Sequence, residues 1–187
     1  MRNNKNIISN GAEIILFATN TQKIINFFIE TDNDWYDRAM VEKKTGLSKA
    51  GVNLALKELL FYKLIAKQNK GGAFIYRLND NEVFVKQLKV LKTLAEISDL
   101  AGKLKPLSSK IVLFGSASRG ENTSDSDIDL FVLTRSEAEV KETIKTYRLG
   151  GKIQLIAKTA PELELMKKNN PYFFNEIDRG ITLWQKI

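Results

Sequence analysis

The sequence predicts an α+β protein in which a helix joins two small domains. Residues 110–134 contain two short apolar runs rich in β-branched side chains, and such runs are typical of strands. Residues 36–67 include a stretch that repeats apolar side chains at helical spacing. A long helical pattern over residues 82–105 ends at Pro106, which disfavours helix in the residue before it. A chain of 187 residues can form two small domains of this kind.

The first of the two strands is predicted over Ile111 to Phe114, and a Gly115-Ser116 turn ends it. The small and polar residues that follow can open a helix. A Gly-Ser turn at a helix start leaves backbone N–H groups free to hold phosphate oxygens. Gly115 and Ser116 are therefore candidate phosphate-binding residues.

The second strand carries two carboxylates at its start. Asp127 and Asp129 are two positions apart and share a face, whereas Ile128 and Leu130 point into the core. Paired carboxylates beside an anion-holding turn fit a clamp for Mg²⁺ ions that carry a nucleoside triphosphate. The alternative is an ordinary β-turn-β unit with a solvated acidic strand end.

These residues resemble the polymerase-β-type nucleotidyltransferase superfamily, whose motif is hydrophobic–Gly–Ser, a spacer, and then Asp–hydrophobic–Asp–hydrophobic. The S-x-R-G and D-S-D-I-D segments are similar to its minimal nucleotidyltransferase branch. The resemblance implies that Asp127 and Asp129 are catalytic and bind Mg²⁺. It further implies that Gly115 and Ser116 hold the β- and γ-phosphates of ATP, and that Arg119 neutralises phosphate charge.

The resemblance covers residues 106–187, where the order of predicted strands and helices suits a small mixed sheet with helices on one side. In the family, a strand predicted here over residues 152–158 carries a third metal-binding carboxylate. The matching residue is Gln154. A glutamine oxygen is neutral and cannot take the proton of an attacking hydroxyl. Glu162 and Glu164 lie on a predicted helix nearby and are poor substitutes for a strand position.

This resemblance, taken together with a DNA-binding resemblance in the N-terminal region, leads to two hypotheses about function. The first is Mg²⁺-dependent transfer of a nucleoside monophosphate from ATP to a hydroxyl acceptor. The minimal branch implies an acceptor on a partner protein, as in antitoxins that adenylylate HEPN-type toxins. The rival is a DNA-binding transcriptional regulator whose transferase domain binds nucleotide, or a partner, without turnover. Gln154 favours the regulator, whereas the intact Gly-Ser and Asp pairs favour the enzyme.

Composition limits the chemistry that the chain can perform. It has no cysteine and no histidine, which excludes disulfides, thiolate nucleophiles, Ser-His-Asp triads and Cys/His zinc sites. The net charge of +7 indicates an acidic partner, with nucleic acid first. No apolar run is long enough to span a membrane, and a signal segment is not apparent. We therefore expect a cytoplasmic protein without a membrane partner.

The predicted N-terminal domain, residues 1–80, begins with a helix over residues 12–29 that is interrupted near Thr19. A helix over residues 36–45 should stop at Gly46, and Ser48 can cap the next helix. A hairpin with a QNKGG turn follows. The TGLS turn and the segment LKELLFYKLI resemble winged helix–turn–helix domains.

This second resemblance implies binding to double-stranded DNA. Lys49, Asn53 and Lys57 would face the major groove from the second helix, and Lys70 would contact DNA from the hairpin turn. Basic residues greatly outnumber acidic ones in this region, and such a patch releases counterions when it binds a phosphate backbone. The alternative is a helical hairpin used for protein contacts, with its lysines merely solvated.

The segment 81–105 is predicted as a helix that links residues 1–80 to residues 106–187. Its apolar face consists of Phe84, Leu88, Leu91, Leu94, Ile97, Leu100 and Leu104. That face fits pairing with a second copy in a homodimer, and it fits packing on a neighbouring domain equally.

Overall fold

The computed structural model describes residues 18–31 and 34–186, and the chain divides into two compact units after Val85. The part of the predicted first helix that precedes Ala18, with Ile14, Ile15 and Phe17, lies outside the described residues. Within the described ranges, every helix is too short or too polar to cross a membrane.

The first unit contains helices and a small antiparallel sheet. Its helices are α1 (Asn20–Ile29), α2 (Arg38–Thr45) and α3 (Lys49–Phe61). Its strands are β1 (Tyr36–Asp37), β2 (Ile65–Lys70) and β3 (Ala73–Leu78), in the order β1-β3-β2. Strands β2 and β3 form the predicted hairpin, in which Lys70 pairs with Ala73.

Capping residues determine where the helices of this unit begin and end. Thr19 caps α1, so this helix begins at Asn20. Gly46 ends α2 in the left-handed conformation at φ +70°, and Ser48 accepts a hydrogen bond from Gly51 N at the start of α3, as predicted. The prediction that α2 begins at Tyr36 is wrong. Asp37 accepts a hydrogen bond from Met40 N and so starts the helix after itself.

The second unit is built on a four-stranded mixed sheet. Its strands are β4 (Ser108–Phe114), β5 (Ile128–Thr134), β6 (Ile153–Lys158) and β7 (Ile181–Gln185), in the order β6-β5-β4-β7. Strands β5 and β6 are parallel, and the other neighbours are antiparallel, which confirms the predicted mixed sheet. Its helices are α4 (Val83–Leu104), α5 (Gly115–Arg119), α6 (Glu137–Lys145), α7 (Ala160–Asn169) and α8 (Pro171–Asp178).

Helices cover both faces of this sheet, so the prediction of helices on one side is wrong. On one face, Leu100 of α4 and Val140 of α6 pack in a core with Leu130. On the other face, Ile177 of α8 packs in a second core with Phe131. The physical reason lies in the strands, because β4 and β5 contain continuous apolar runs. Strands with such runs place apolar side chains on both faces of the sheet, so both faces must be buried.

Helix α4 confirms the long helix predicted over residues 82–105. Its C-terminal half contributes Ile97, Leu100 and Leu104 to the core of the second unit, while Phe84 and Leu91 are exposed. The apolar face therefore packs within its own chain along that half. Pairing with a second copy stays a prediction.

Candidate functional site

The turn after β4 places backbone directly against a carboxylate. Gly115 has φ +66°, a conformation that L side chains rarely adopt, and a β-carbon built there would overlap Asp129 Oδ2. The contact arises because Phe114, the last residue of β4, pairs with Asp129 across the antiparallel ladder. Glycine at position 115 therefore permits both the turn and the close approach of Asp129.

Hydrogen bonds hold the loops on each side of this contact. Within α5 and after it, Ser118 Oγ donates to Gly115 O at 2.8 Å, and Glu121 N donates to Ser116 O at 3.0 Å. In the loop before Asp127, Lys152 Nζ donates to Ser124 O at 2.9 Å. The loop between α5 and β5 is thus fastened at both ends.

The two aspartates differ in their surroundings. Asp127 is exposed, whereas Asp129 is half-buried at the start of β5. Burial is the largest cause that raises the pKa of Asp129 above its ordinary value, and the charges of Asp127 and Glu176 add to it. Arg119 opposes the shift. The site thus holds more negative charge near Asp129 than the nearby arginine offsets, which is the situation that a bound cation would relieve.

Gln154 lies beside Asp129. The two residues are in register on the parallel strands β5 and β6, so their side chains share one face of the sheet. Gln154 is exposed on that face. This is the position to which the strand pattern assigned it, and it brings a neutral amide to the carboxylate pair.

Glu162 and Glu164 are engaged elsewhere on α7. Glu162 accepts hydrogen bonds from Thr159 N at 2.8 Å and Thr159 Oγ1 at 2.6 Å, which lower its pKa to about 2. Glu164 Oε1 lies 2.7 Å from Lys167 Nζ. Within the described ranges no group of three or more His, Cys, Asp or Glu side chains could hold a metal ion. The carboxylate pair therefore has no third acidic partner at metal-binding distance in the part of the chain that the structure describes.

The pair nevertheless fits Mg²⁺. This ion is usually held by one or two carboxylates together with waters and substrate phosphates, and a complete protein cage is not required. Asp127 and Asp129 supply the carboxylates, and Gln154 adds an amide oxygen on the same face. The donor set is made of oxygen alone, as the absence of histidine and cysteine demands.

Arg119 is held by two carboxylates. Its Nε lies 2.8 Å from Glu121 Oε2, and its Nη1 lies 3.8 Å from Glu176 Oε1. Hydrogen bonding to Arg119 is the main reason that the pKa of Glu121 falls below its ordinary value. All three side chains are at least partly exposed, so these pairs add little to stability. A phosphate group could therefore replace these carboxylates at small cost.

The sequence pattern did not reveal one wall of the site. Helix α8 presents Tyr172, Asn175 and Glu176 to a cavity of about 710 Å³, together with its C-cap residue Arg179, and Ser118 and Arg119 line the cavity from α5. These four residues are spaced i, i+3, i+4 and i+7, so they lie on one side of the helix. That polar spacing was available in the sequence, but nothing local showed that α8 packs beside α5.

The predicted DNA-binding residues lie in the first unit. Lys49 and Lys57 are exposed on α3, and Asn53 is half-buried between them. Their spacing of four residues places all three on one side of the helix. Lys70 is exposed at the end of β2, next to the hairpin turn.

We expect Gly115→Ala to impair both stability and nucleotide binding. The left-handed conformation alone costs an alanine roughly 1–2 kcal/mol, and the overlap with Asp129 adds to that and displaces the carboxylate. Gly71→Ala is the matched control, because Gly71 has φ +61° with nothing within 4 Å of a built β-carbon. Denaturant unfolding and ATP titration compare the two variants. Equal losses of stability and unchanged ATP affinity would contradict the contact.

Part of the chain matches a known protein family. Residues 86–178 match the family model described as nucleotidyltransferase domain. The match begins at Lys86, where the second compact unit also begins. No curated protein matches the chain.

Two solved structures share weak similarity with the chain. A possible transcriptional regulator from Methanosarcina mazei Go1 is 17% identical, with a TM-score of 0.32, over 51% of this chain and 84% of that one. A candidate nucleotidyltransferase from Sulfolobus solfataricus is 18% identical, with a TM-score of 0.33, over 56% of this chain and 87% of that one. Both TM-scores are too low to support an assignment.

The family match contains the turn at Gly115 and Ser116 together with Asp127 and Asp129. Residues 86–178 are therefore similar to a nucleotidyltransferase domain.

Proposed function

We propose that the second unit binds Mg²⁺ and ATP and transfers AMP to a hydroxyl group of a partner protein. The observation that carries this proposal is the contact between Asp129 and the Gly115 turn, with Asp127 close enough to raise the pKa of Asp129. A phosphate held at the turn would lie beside the carboxylates. That is the arrangement that metal-assisted nucleotidyl transfer requires.

Each residue of the site has a defined task in this proposal. Asp127 and Asp129 would hold Mg²⁺, which supplies charge neutralisation of the transferring phosphoryl group. Gly115 and Ser116 would bind the β- and γ-phosphates through backbone N–H groups and the serine hydroxyl. Arg119 would exchange Glu121 and Glu176 for phosphate oxygens and orient the triphosphate. The acceptor hydroxyl would attack the α-phosphorus and lose its proton to solvent water, and pyrophosphate would leave.

The site is poorly suited to removing the proton of the acceptor hydroxyl. Gln154 stands beside Asp129 at the position from which a carboxylate would take it. An amide oxygen has no useful basicity, so transfer is expected to be slow.

The neutral amide of Gln154 beside Asp129 favours a second candidate function, which is a regulator that binds DNA and senses nucleotide without turning it over. In that case Asp127, Asp129 and the Gly115 turn bind Mg²⁺ and ATP, and binding itself is the signal. One experiment separates the two functions, namely incubation with Mg²⁺, α-labelled ATP and the proteins encoded beside the gene. Label that becomes covalently attached to a protein supports the enzyme. Tight ATP binding without label transfer supports the sensor.

We further propose that the first unit is a winged helix that binds double-stranded DNA. The order of its elements supports this, because α2 and α3 join at the tight Gly46 turn and the β2–β3 hairpin follows α3. The exposed lysines of α3 and of the hairpin point to the same partner. We also propose that the protein acts in the cytoplasm and that α4 joins two copies on a symmetric operator.

We expect Lys49→Ala combined with Lys57→Ala to weaken duplex binding and reduce its salt dependence. Removing one lysine–phosphate interaction should lower the slope of log affinity against log salt by about 0.9. Lys141→Ala with Lys145→Ala on α6 removes the same charge from exposed positions of the other unit and is the control. Fluorescence anisotropy at several salt concentrations measures the slope. A wild type without affinity for duplex DNA at low salt would make the unit a protein-contact module instead.

A further inference from the structure

Helix α8 has two faces of different character. Phe173 and Ile177 pack into the apolar core beneath the sheet. Tyr172, Asn175 and Arg179 lie on the other face and are exposed. Tyr172 is 91% exposed, although its ring is a large surface that a folded chain usually covers in part. An aromatic ring held out from a helix in this way is available to a ligand.

That face forms one wall of a cavity of about 710 Å³, and α5 forms the other. The volume lies within the range of small-molecule and cofactor sites. The cavity is lined by Ser118, Arg119, Tyr172, Asn175, Glu176 and Arg179. All six of these residues belong to the second unit.

The cavity adjoins the proposed catalytic pair. Glu176 lines it and lies close enough to Asp129 to influence that carboxylate electrostatically. Arg119 lines it as well, and Arg119 belongs to the same short helix as Gly115 and Ser116. A ligand whose phosphates lie at the Gly115 turn therefore has room for its remaining part here.

The chemistry of the lining suits a nucleoside. Arg119 and Arg179 outnumber the single carboxylate of Glu176, so the charge of the cavity is compatible with a nucleoside that is attached to anionic phosphates. The phenol ring of Tyr172 offers a flat surface on which a base can stack. Asn175 offers a side-chain amide, which donates and accepts hydrogen bonds and can read the edge of a base such as adenine.

We propose that the cavity between α5 and α8 is the nucleoside subsite, in which Tyr172 stacks on the base of the nucleoside triphosphate and Asn175 contacts its edge. This rests on the proposed function, because it places the base of the same ATP whose phosphates the Gly115 turn would hold. Arg179 contributes positive charge at the C-terminal end of α8, where the helix itself is electronegative. Base recognition would thus come from a helix that lies outside the Gly-Ser and Asp motif.

The test compares ATP with inorganic triphosphate, which has the phosphates but no base. Calorimetric titrations in Mg²⁺ use wild type, Tyr172→Ala, Tyr172→Phe and Asn175→Ala. Tyr62→Ala, a change at an exposed tyrosine of the first unit, is the control. We expect Tyr172→Ala to weaken ATP binding by roughly 5- to 100-fold and to leave triphosphate binding unchanged, because only the base loses its stacking partner. Tyr172→Phe should bind ATP as wild type does, and Asn175→Ala should reduce the preference for ATP over other nucleoside triphosphates.

Unchanged ATP affinity in Tyr172→Ala would overturn the subsite, and the cavity would then be a candidate site for the acceptor. Equal weakening of ATP and triphosphate would overturn it too, since the ring would then act on the phosphates or on the fold. A wild type that binds neither ligand would contradict the proposed function itself. That outcome is distinct from a failure of the subsite alone.

Discussion

Asp127→Asn combined with Asp129→Asn is expected to abolish Mg²⁺-dependent ATP binding while the fold stays intact. The two amides keep the shape of the carboxylates but remove both charges, and proteins usually bind Mg²⁺ through one or two carboxylates together with substrate phosphates. The apo protein should become slightly more stable, because Asp129 is half-buried near Asp127 and Glu176 and its charged form is disfavoured there. Calorimetric titration of ATP with and without Mg²⁺ measures the binding.

Asp99→Asn combined with Glu142→Gln is the control for this change. Both residues are exposed, and the double substitution alters net charge equally without touching the pair. Retained ATP affinity in the Asp127 and Asp129 variant would contradict the metal assignment. A loss of affinity in the control variant would trace the effect to net charge.

Gln154→Asp or Gln154→Glu is expected to raise metal affinity and any transfer activity more than any other single change. Gln154 is in register with Asp129, so a carboxylate there would complete an acidic trio on one face. General-base help is typically worth about 10²–10⁴-fold in rate. ATP binding should change far less than the rate of transfer, because the base acts on the acceptor. Quantitative label transfer from α-labelled ATP measures that rate.

The matched comparisons are Gln154→Asp with Gln154→Asn and Gln154→Glu with wild type, since each pair differs mainly in charge. Brisk transfer by wild type, unchanged in Gln154→Asp, would show that position 154 has no role in proton removal. Glu162 is a poor alternative because it caps α7 through Thr159. Glu176, which lies nearer to Asp129, would then be the next candidate.

The part of the site that sequence predicts is the part built by local structure. A strand, a Gly-Ser turn and a second strand are set by neighbouring residues, and β4, Gly115 and β5 lie where the pattern placed them. Gln154 was found because period-two alternation fixes which residue of a strand shares a face with its neighbours.

What the sequence does not reveal is set by long-range packing. The overlap at Gly115 depends on the pairing of β4 with β5, and Glu176 reaches the site because α8 packs on the second face of the sheet. Single-strand periodicity cannot choose that face, since β4 and β5 are apolar at successive positions. Asp37 shows the same limit at a smaller scale, because its choice between helix and cap depends on strand pairing with Ile75.

Titration of ATP into the wild-type chain, once in Mg²⁺ and once in EDTA, tests the central claim most directly. If Asp127, Asp129 and the Gly115 turn form a metal–nucleotide site, saturable 1:1 binding appears in Mg²⁺ and is lost in EDTA. Absence of ATP binding in Mg²⁺, or equal binding in EDTA, would contradict the site.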